Sequence, residues 1–350
     1  MSHNRCLWHA LLGVIVVWTF SPVEANADAL APRHQLAIRD SQFTLDGKPV
    51  FLLGCSYYGA LGASAEVWQK DLDDMQKAGI NWIRVWATWA AFGNDVSAVD
   101  GDGAPRQPYL DKLQKLVDEC DRRGMIVDVT LSRGNGVTGP SRLAKLDTHR
   151  RAVETLVEAL KSRRNWYLDL ANERNIQDER FVSFDDLKAL RDRVRELESD
   201  LLVTASQGGD LSDADLRKYI VKVGVDFVAP HRPRDHDSPA HTDEVTRKLL
   251  KSMKAMGHVV PVHFQEPLRR AYSSSFDAKD FEADLRGAIS GGAAGWCFHN
   301  GDARNAKDGR PRRSFDLTSQ RLFEQLDDVE LTAIRGFQEV LRASGRKAEK

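Results

Sequence analysis

Short, nearly continuous apolar runs alternate along this chain with longer amphipathic stretches. An apolar run at 50–54 precedes a segment of helical period at 68–78, which Gly79 closes. The run at 81–86 precedes a helix at 109–123, ended by Gly124, and the run at 125–131 precedes a charged-faced helix at 142–163. Asn165-Trp166-Tyr167-Leu168-Asp169-Leu170-Ala171 then leads to a helix reaching about Ser199, which Ser183-Phe184-Asp185-Asp186 opens like a capping box. Further pairs follow at 201–205 and 213–221, 226–229 and 244–256, 259–264 and 277–290, and 293–298 and 328–343. Ahead of them all, 36–51 reads as a hairpin turning at Asp46-Gly47.

Strands that alternate with helices form a parallel sheet, and runs without polar alternation belong to strands buried on both faces. Eight such units in one chain predict an α/β fold, a single (β/α)8 TIM barrel with a short N-terminal β-hairpin. An open doubly wound sheet is the alternative. No linker divides the sequence, so 28–345 reads as one catalytic domain.

The first 27 residues stand apart. Arg5, the apolar run at 11–18 and the small-residue site Ala25-Asn26-Ala27 have the layout of a secretory signal peptide cleaved after Ala27. The run is shorter than the ~20 residues a membrane span requires, so no stable insertion is expected after cleavage, and a secreted or periplasmic protein is. Cys6 would leave with the leader. Of the remaining cysteines, Cys55 and Cys297 fall at the ends of the first and last strands, where either a disulfide or two buried thiols is possible. Cys120 completes the set, and none has zinc-site spacing.

With 350 residues and 42% hydrophobic positions, a sizeable core is available. A formal net charge of −1, with no basic block beyond a short C-terminal tail, argues against a nucleic-acid partner. Polar and aromatic residues collect after strands: Ser56-Tyr57-Tyr58, 86–89, Ser132-Arg133, Asn172-Glu173, Ser206-Gln207, His231-Arg232, Gln265-Glu266 and His299-Asn300. In a βα barrel the strand C-termini surround the reactive mouth, and a glutamate at such a tip does nothing for the packing below. Two glutamates at such tips, Glu173 after strand four and Glu266 after strand seven, are the equipment for cleaving a glycosidic bond.

Arg84 on strand two, Asn172-Glu173 on strand four, Glu266 on strand seven and Trp296 on strand eight, in that order, resemble the clan A glycoside hydrolases, nearest the cellulase-like family 5. The resemblance spans essentially the whole chain after the leader. It implies a retaining hydrolase without cofactor or metal, acting on a poly- or oligosaccharide. Glu173 would be the general acid/base, holding its proton near neutral pH, and Glu266 the nucleophile, kept ionised by Arg84. Asn172 would bind the sugar 2-hydroxyl, and Trp296 would lie under the cleaved sugar. A non-hydrolytic carbohydrate-binding barrel and a transglycosylase are the alternatives.

The sequence departs from that pattern in places. Arg174 replaces the proline usual after Asn-Glu, Ser132-Arg133 stands where a histidine is usual, and His231-Arg232-Pro233 replaces His-x-Tyr. His231 keeps half of that last motif, while the missing tyrosine leaves the tuning of Glu266 open. Arg133, Arg174, Arg232, Arg234, Arg269 and Arg270 all follow strands. They would either bind an anionic glycan, with Arg232 among the contacts, or pair with Asp178, Glu179, Asp235 and Asp237. Trp82 and Trp86 both share strand parity with Arg84; Trp86, near the strand tip, is a candidate subsite wall, whereas Trp82 is expected in the core. Gly134-Asn135-Gly136-Val137-Thr138-Gly139 matches a dinucleotide fingerprint but sits in the wrong unit, and reads as a mouth loop. Asp100-Gly101-Asp102-Gly103 lacks the rest of a calcium loop and reads as a turn.

Overall fold

The computed structural model describes residues 33–91, 94–134, 142–270, 276–301, 316–318 and 320–345. The expected leader at 1–27, its expected cleavage site and most of the 134–139 stretch lie outside the described residues.

The expected barrel is present. Its strands in order are Leu52–Ser56, Trp82–Trp86, Ile126–Thr130, Trp166–Asp169, a fifth split into Val203–Thr204 and Ser206–Gly208, Ala229–His231, His263–Phe264 and Gly295–Phe298. Strand eight pairs in parallel with strand one, with Trp296 opposite Leu53, which joins the ends of the chain's strand order. The split in strand five lets Val203–Thr204 pair with strand four while Ser206–Gly208 pairs with strand six. A parallel bridge from Val228 to Val262 joins strands six and seven and completes the ring. Pro230 in strand six and Pro261 just ahead of strand seven donate no amide hydrogen, so the ladder there is thinner than the apolar runs suggest.

Helices follow the strands at Ala65–Lys77, Tyr109–Arg122, Leu146–Leu160, Phe184–Leu197, Asp213–Arg217, Thr242–Ala255, Ala278–Gly291 and Asp328–Ala343. Ser183 caps the fourth as expected, accepting a hydrogen bond from the amide of Asp186 at 3.0 Å. The fifth continues as a π-helical turn, Lys218–Val223, ending at Gly224 with φ 77°. Among the described residues, no helix is long and apolar enough to cross a membrane.

The N-terminal hairpin gains a strand and becomes a meander, Leu36–Arg39, Gln42–Leu45 and Lys48–Val50. Asp46 and Gly47 both take positive φ at its second turn, as a type I′ turn demands. Phe43 is fully buried and packs edge-on against Phe227, with ring centroids 5.1 Å apart, so the meander plugs the bottom of the barrel. Above it lies a layer of Trp82, Tyr167, Phe227 and His263. Strands one and eight make room for these rings with glycine. A Cβ on Gly54 would come within 1.4 Å of Trp82 Cε3, and one on Gly295 within 2.2 Å of His263 Nδ1. Trp82 is thus core, as its distance from the strand tip suggested.

Cys55 and Cys297 are both buried free thiols. Their register explains it: Cys297 stands opposite Gly54, and Phe298 opposite Cys55, so the two sulfurs leave their strands on opposite faces of the wall.

Candidate active site

Immediately above the aromatic layer the barrel interior turns polar. Arg84 is fully buried there, and its side chain spans four acceptors. Nε donates to Asp128 Oδ2 at 3.1 Å, Nη2 to Asp169 Oδ2 at 2.8 Å and to Asn172 Oδ1 at 3.1 Å, and Nη1 to Glu266 Oε1 at 2.5 Å. Parallel register puts Arg84 directly beside Asp128, and Asp128 beside Tyr167. Burial lowers the pKa of Arg84, but Tyr58, Asp128, Glu266 and Asp169 outweigh it and hold the guanidinium above its ordinary value. Burial also pushes Asp128 up to about 8, with Asp169 adding to the rise and Arg84 opposing it.

Glu173 and Glu266 meet above this layer. One oxygen of each, and a ring nitrogen of His231, all lie within 4.8 Å of one another. Glu173 reaches this position through a left-handed backbone, φ 45°, which is uncommon for a residue with a Cβ and costs about 1–2 kcal/mol. Ser206 holds the bend, its Oγ accepting from Glu173 N at 3.0 Å and its carbonyl from Arg174 N at 3.1 Å. The split in strand five therefore has a local use: it presents Ser206 to the strand-four turn.

Glu266 is 6% exposed and surrounded by donors. Tyr58 Oη donates to its Oε1 at 2.5 Å, alongside Arg84, and Arg234 Nη2 donates to Oε2 at 2.8 Å. His231 Nδ1 lies 3.6 Å and His299 Nε2 3.4 Å from Oε2. Burial raises the pKa of this carboxyl, but His231, His299, Arg84 and Arg234 together hold it well below the usual glutamate range. The tyrosine that strand six lacks is thus replaced by Tyr58 from strand one. Sequence reading placed Tyr58 only among the polar and aromatic residues after strand one; its hydroxyl is the informative group.

Glu173 differs from expectation. Its Oε1 lies 3.3 Å from His231 Nδ1, and Arg180 Nη1 donates to its Oε2. Burial and the charge of Glu266 raise its pKa, but His231 and Arg234 prevail, so the carboxyl sits below its ordinary value of 4.5. In the unliganded site Glu173 is therefore ionised at neutral pH rather than protonated.

Two other expectations are corrected. Trp296 does not lie under a sugar. Strand alternation turns Gly295 and Cys297 inward and Trp296 outward, where its Nε1 donates to buried Asp284 at 3.0 Å and its ring meets Phe337 edge-on at 5.4 Å. His299 takes the inward place at that tip, with Nδ1 2.8 Å from Ser56 Oγ. Trp296→Phe is accordingly expected to destabilise the fold by about 1–3 kcal/mol, by leaving Asp284 Oδ2 without its indole donor while Thr242 still serves Oδ1, and to leave KM unchanged. A melting curve beside steady-state kinetics checks this.

Arg232 does not face the mouth as a substrate contact. Its Nη1 donates to both oxygens of Asp210, at 2.6 and 2.8 Å, and Nη2 to the Ser238 carbonyl at 3.0 Å. Most of the other arginines also have protein partners, though not those anticipated. Arg133 pairs with Asp186 at 2.7 Å, Arg270 with Asp327 at 3.1 Å, and Arg174 stacks 4.1 Å over the Phe184 ring. Trp86 is 3% exposed, packed against Tyr58 and Trp89, and its buried Nε1 has no partner among the described residues; neither has His231 Nε2.

Glu173, His231 and Glu266 are the one described trio with metal-ligand spacing. Arg84, Arg180 and Arg234 already meet its carboxylate oxygens, so a divalent cation would enter against three guanidinium charges. The arrangement suits paired carboxylate chemistry better than metal binding.

The fold is a (β/α)8 barrel that glycoside hydrolase family 5 structures also adopt. A glycoside hydrolase family 5 structure from Bacteroides vulgatus superposes with a TM-score of 0.63 at 16% identity, covering 88% of this chain and 72% of that one. An endo-1,4-β-mannanase from Rhizomucor miehei gives 0.60 at 13% identity, over 89% and 99% of the two chains. A family 5 mannosidase from the same organism gives 0.56 at 15% identity, over 90% and 99%. No protein-family model and no curated protein sequence matches the chain.

Proposed function

We propose that this protein is a retaining glycoside hydrolase, with Glu266 as nucleophile and Glu173 as general acid/base. The approach of the two carboxylates to within 4.8 Å carries the reading. Retention calls for carboxyls ~5–5.5 Å apart, whereas inversion needs ~6.5–9.5 Å to admit a water. The asymmetry of their surroundings supports the assignment of roles. Glu266 is anchored from below by Arg84 and Tyr58, which suits a group that must stay ionised and attack. Its Oε2 bonds to the anomeric carbon as Glu173 protonates the departing glycosidic oxygen. Water, deprotonated by Glu173, then attacks the same carbon and releases Glu266. Asn172, whose Oδ1 is held by Arg84, turns its amide nitrogen to the sugar hydroxyl beside the anomeric centre. The leader at 1–27 supports action outside the cytoplasm.

Proton NMR of the first product from a β-linked oligosaccharide tests the reading; β-1,4-mannan fragments are the first choice, given the neighbours' activities. The β-anomer is expected to appear before mutarotation, and an initial α-anomer would overturn it. The pH dependence follows from the carboxyls. Activity requires Glu266 ionised and Glu173 protonated, and the free site holds both below the ordinary glutamate value of 4.5. Since kcat/KM reports the free enzyme, it is expected to peak on the acid side and fall toward pH 7. A profile that rises to neutrality would contradict the assignment.

A further inference from the structure

Two arginines from mouth loops sit on the carboxylate pair. Arg180, after strand four, donates from Nη1 to Glu173 Oε2 and is held on its other edge by Asp178, at 3.0 Å from Nε and 2.7 Å from Nη2. Arg234, after strand six, donates from Nη2 to Glu266 Oε2 at 2.8 Å. Oε1 of Glu266 is fixed from below, so Oε2 is the oxygen left to attack an anomeric carbon, and Arg234 must yield it for a sugar to bind. Its side chain is only 10% exposed. A neutral sugar would offer that guanidinium hydroxyls in exchange for a carboxylate, and a charge-assisted hydrogen bond is about twice as strong as a neutral one. A carboxylate on the sugar itself would replace the lost ion pair, and a guanidinium takes such a group in planar, bidentate form.

The floor of the site agrees. Where an aromatic platform was expected, the inward residue is His299, with Arg269 Nη1 3.5 Å from its Nε2. Both Arg269 and His299 are fully buried, so this wall is polar and cationic rather than a stacking face.

We infer that the sugar cleaved here is a uronic acid, and that Arg234 transfers from Glu266 to the sugar carboxylate on binding. The inference rests on the two-glutamate hydrolase reading and adds the substrate class. Because Arg234 meets the nucleophile, the anion belongs to the sugar whose anomeric carbon is attacked, while Arg180 meets the leaving-group side.

The test uses matched polymers: poly-β-mannuronate and β-glucuronan against β-mannan and β-glucan, together with carboxyl-reduced samples of the acidic pair. Reducing-end release is measured, with affinity electrophoresis on each polymer. An acidic polymer is expected to be cleaved with at least about 10-fold higher kcat/KM than its neutral counterpart, and the advantage to vanish on carboxyl reduction. Arg234→Gln should cut the acidic-to-neutral ratio by about 10- to 100-fold, and Arg234→Lys should restore part of it. The ratio is the readout, because loss of a merely structural arginine would lower both rates alike. Equal or better cleavage of a neutral polymer, or a ratio unmoved in both variants, overturns the uronate inference and leaves the hydrolase standing. Cleavage restricted to sulfated glycans overturns it too. If no polymer is cleaved or retards the protein, both readings fall.

Discussion

Glu266→Gln is expected to lower turnover by about 10⁴-fold or more while the protein still folds and binds glycan. The substitution keeps the shape of the side chain and removes only the attacking charge. Arg84 retains Asp169 as a counter-charge and keeps its contact with Asp128, so the barrel interior is not left with an unpaired cation. Glu266→Ala opens space beside the anomeric carbon for an external nucleophile. Azide added to that variant should restore cleavage of an activated aryl glycoside and yield the α-glycosyl azide, because the small anion attacks from the face the carboxylate occupied. Glu173→Ala should respond differently. The glycosyl-enzyme still forms when the leaving group needs no proton, and azide then resolves it to the β-glycosyl azide. The two opposite product configurations separate nucleophile from acid/base on one substrate. Azide products of the same configuration from both variants would refute the assignment of roles, and wild-type rates in Glu266→Gln would remove the mechanism altogether.

The barrel was legible because its signals are local and repeated. Apolar runs without alternation, glycine after several helices and a serine cap at 183 each follow from short-range chemistry. The pairing of Glu173 with Glu266 was legible for a related reason: both lie just past strands, and the C-terminal tips of barrel strands converge wherever the ring closes. What failed was parity and partnership. Trp296 was placed under a sugar by motif order, although counting along strand eight from Gly295, which must point inward to admit His263, sends Trp296 outward. Asp128 and Asp169 were passed over, yet a carboxylate in the middle of Ile126-Val127-Asp128-Val129 has no solvent on either face. It demands a cation, and Arg84 is its register neighbour. The partners of Arg180 and Arg234 were not readable. Both sit in irregular loops, where no period fixes the direction of a side chain, and the contacts that choose their acceptors come from other strands.

Arg84→Met is expected to destabilise the protein by about 3–5 kcal/mol at neutral pH, besides abolishing activity, because it removes the cation from a buried cluster and leaves the acids behind. Asp128, Asp169 and Glu266 would then share one low-dielectric layer, with Arg84 gone from distances of 3.1, 2.8 and 2.5 Å. The loss should depend on pH, with a definite sign. In the wild type, burial beside Asp169 raises Asp128 from 3.8 to about 8, so the folded state binds a proton that the unfolded chain releases. That proton contributes stability fully below pH 3.8, and the contribution declines as pH rises to about 8. Glu266 acts oppositely, its lowered pKa favouring folding above the ordinary glutamate value of 4.5 and losing that effect in acid. Arg84 lowers both Asp128 and Glu266, so without it the variant should recover stability on acidification from pH 8 to pH 5 more steeply than the wild type. Asp128→Asn, which mimics the protonated acid, should flatten the wild-type slope over the same range. Denaturant unfolding at several pH values measures all three proteins. A loss below about 1 kcal/mol in Arg84→Met, or one independent of pH, would mean that the guanidinium is not the charge that lets three acids share the centre of the barrel.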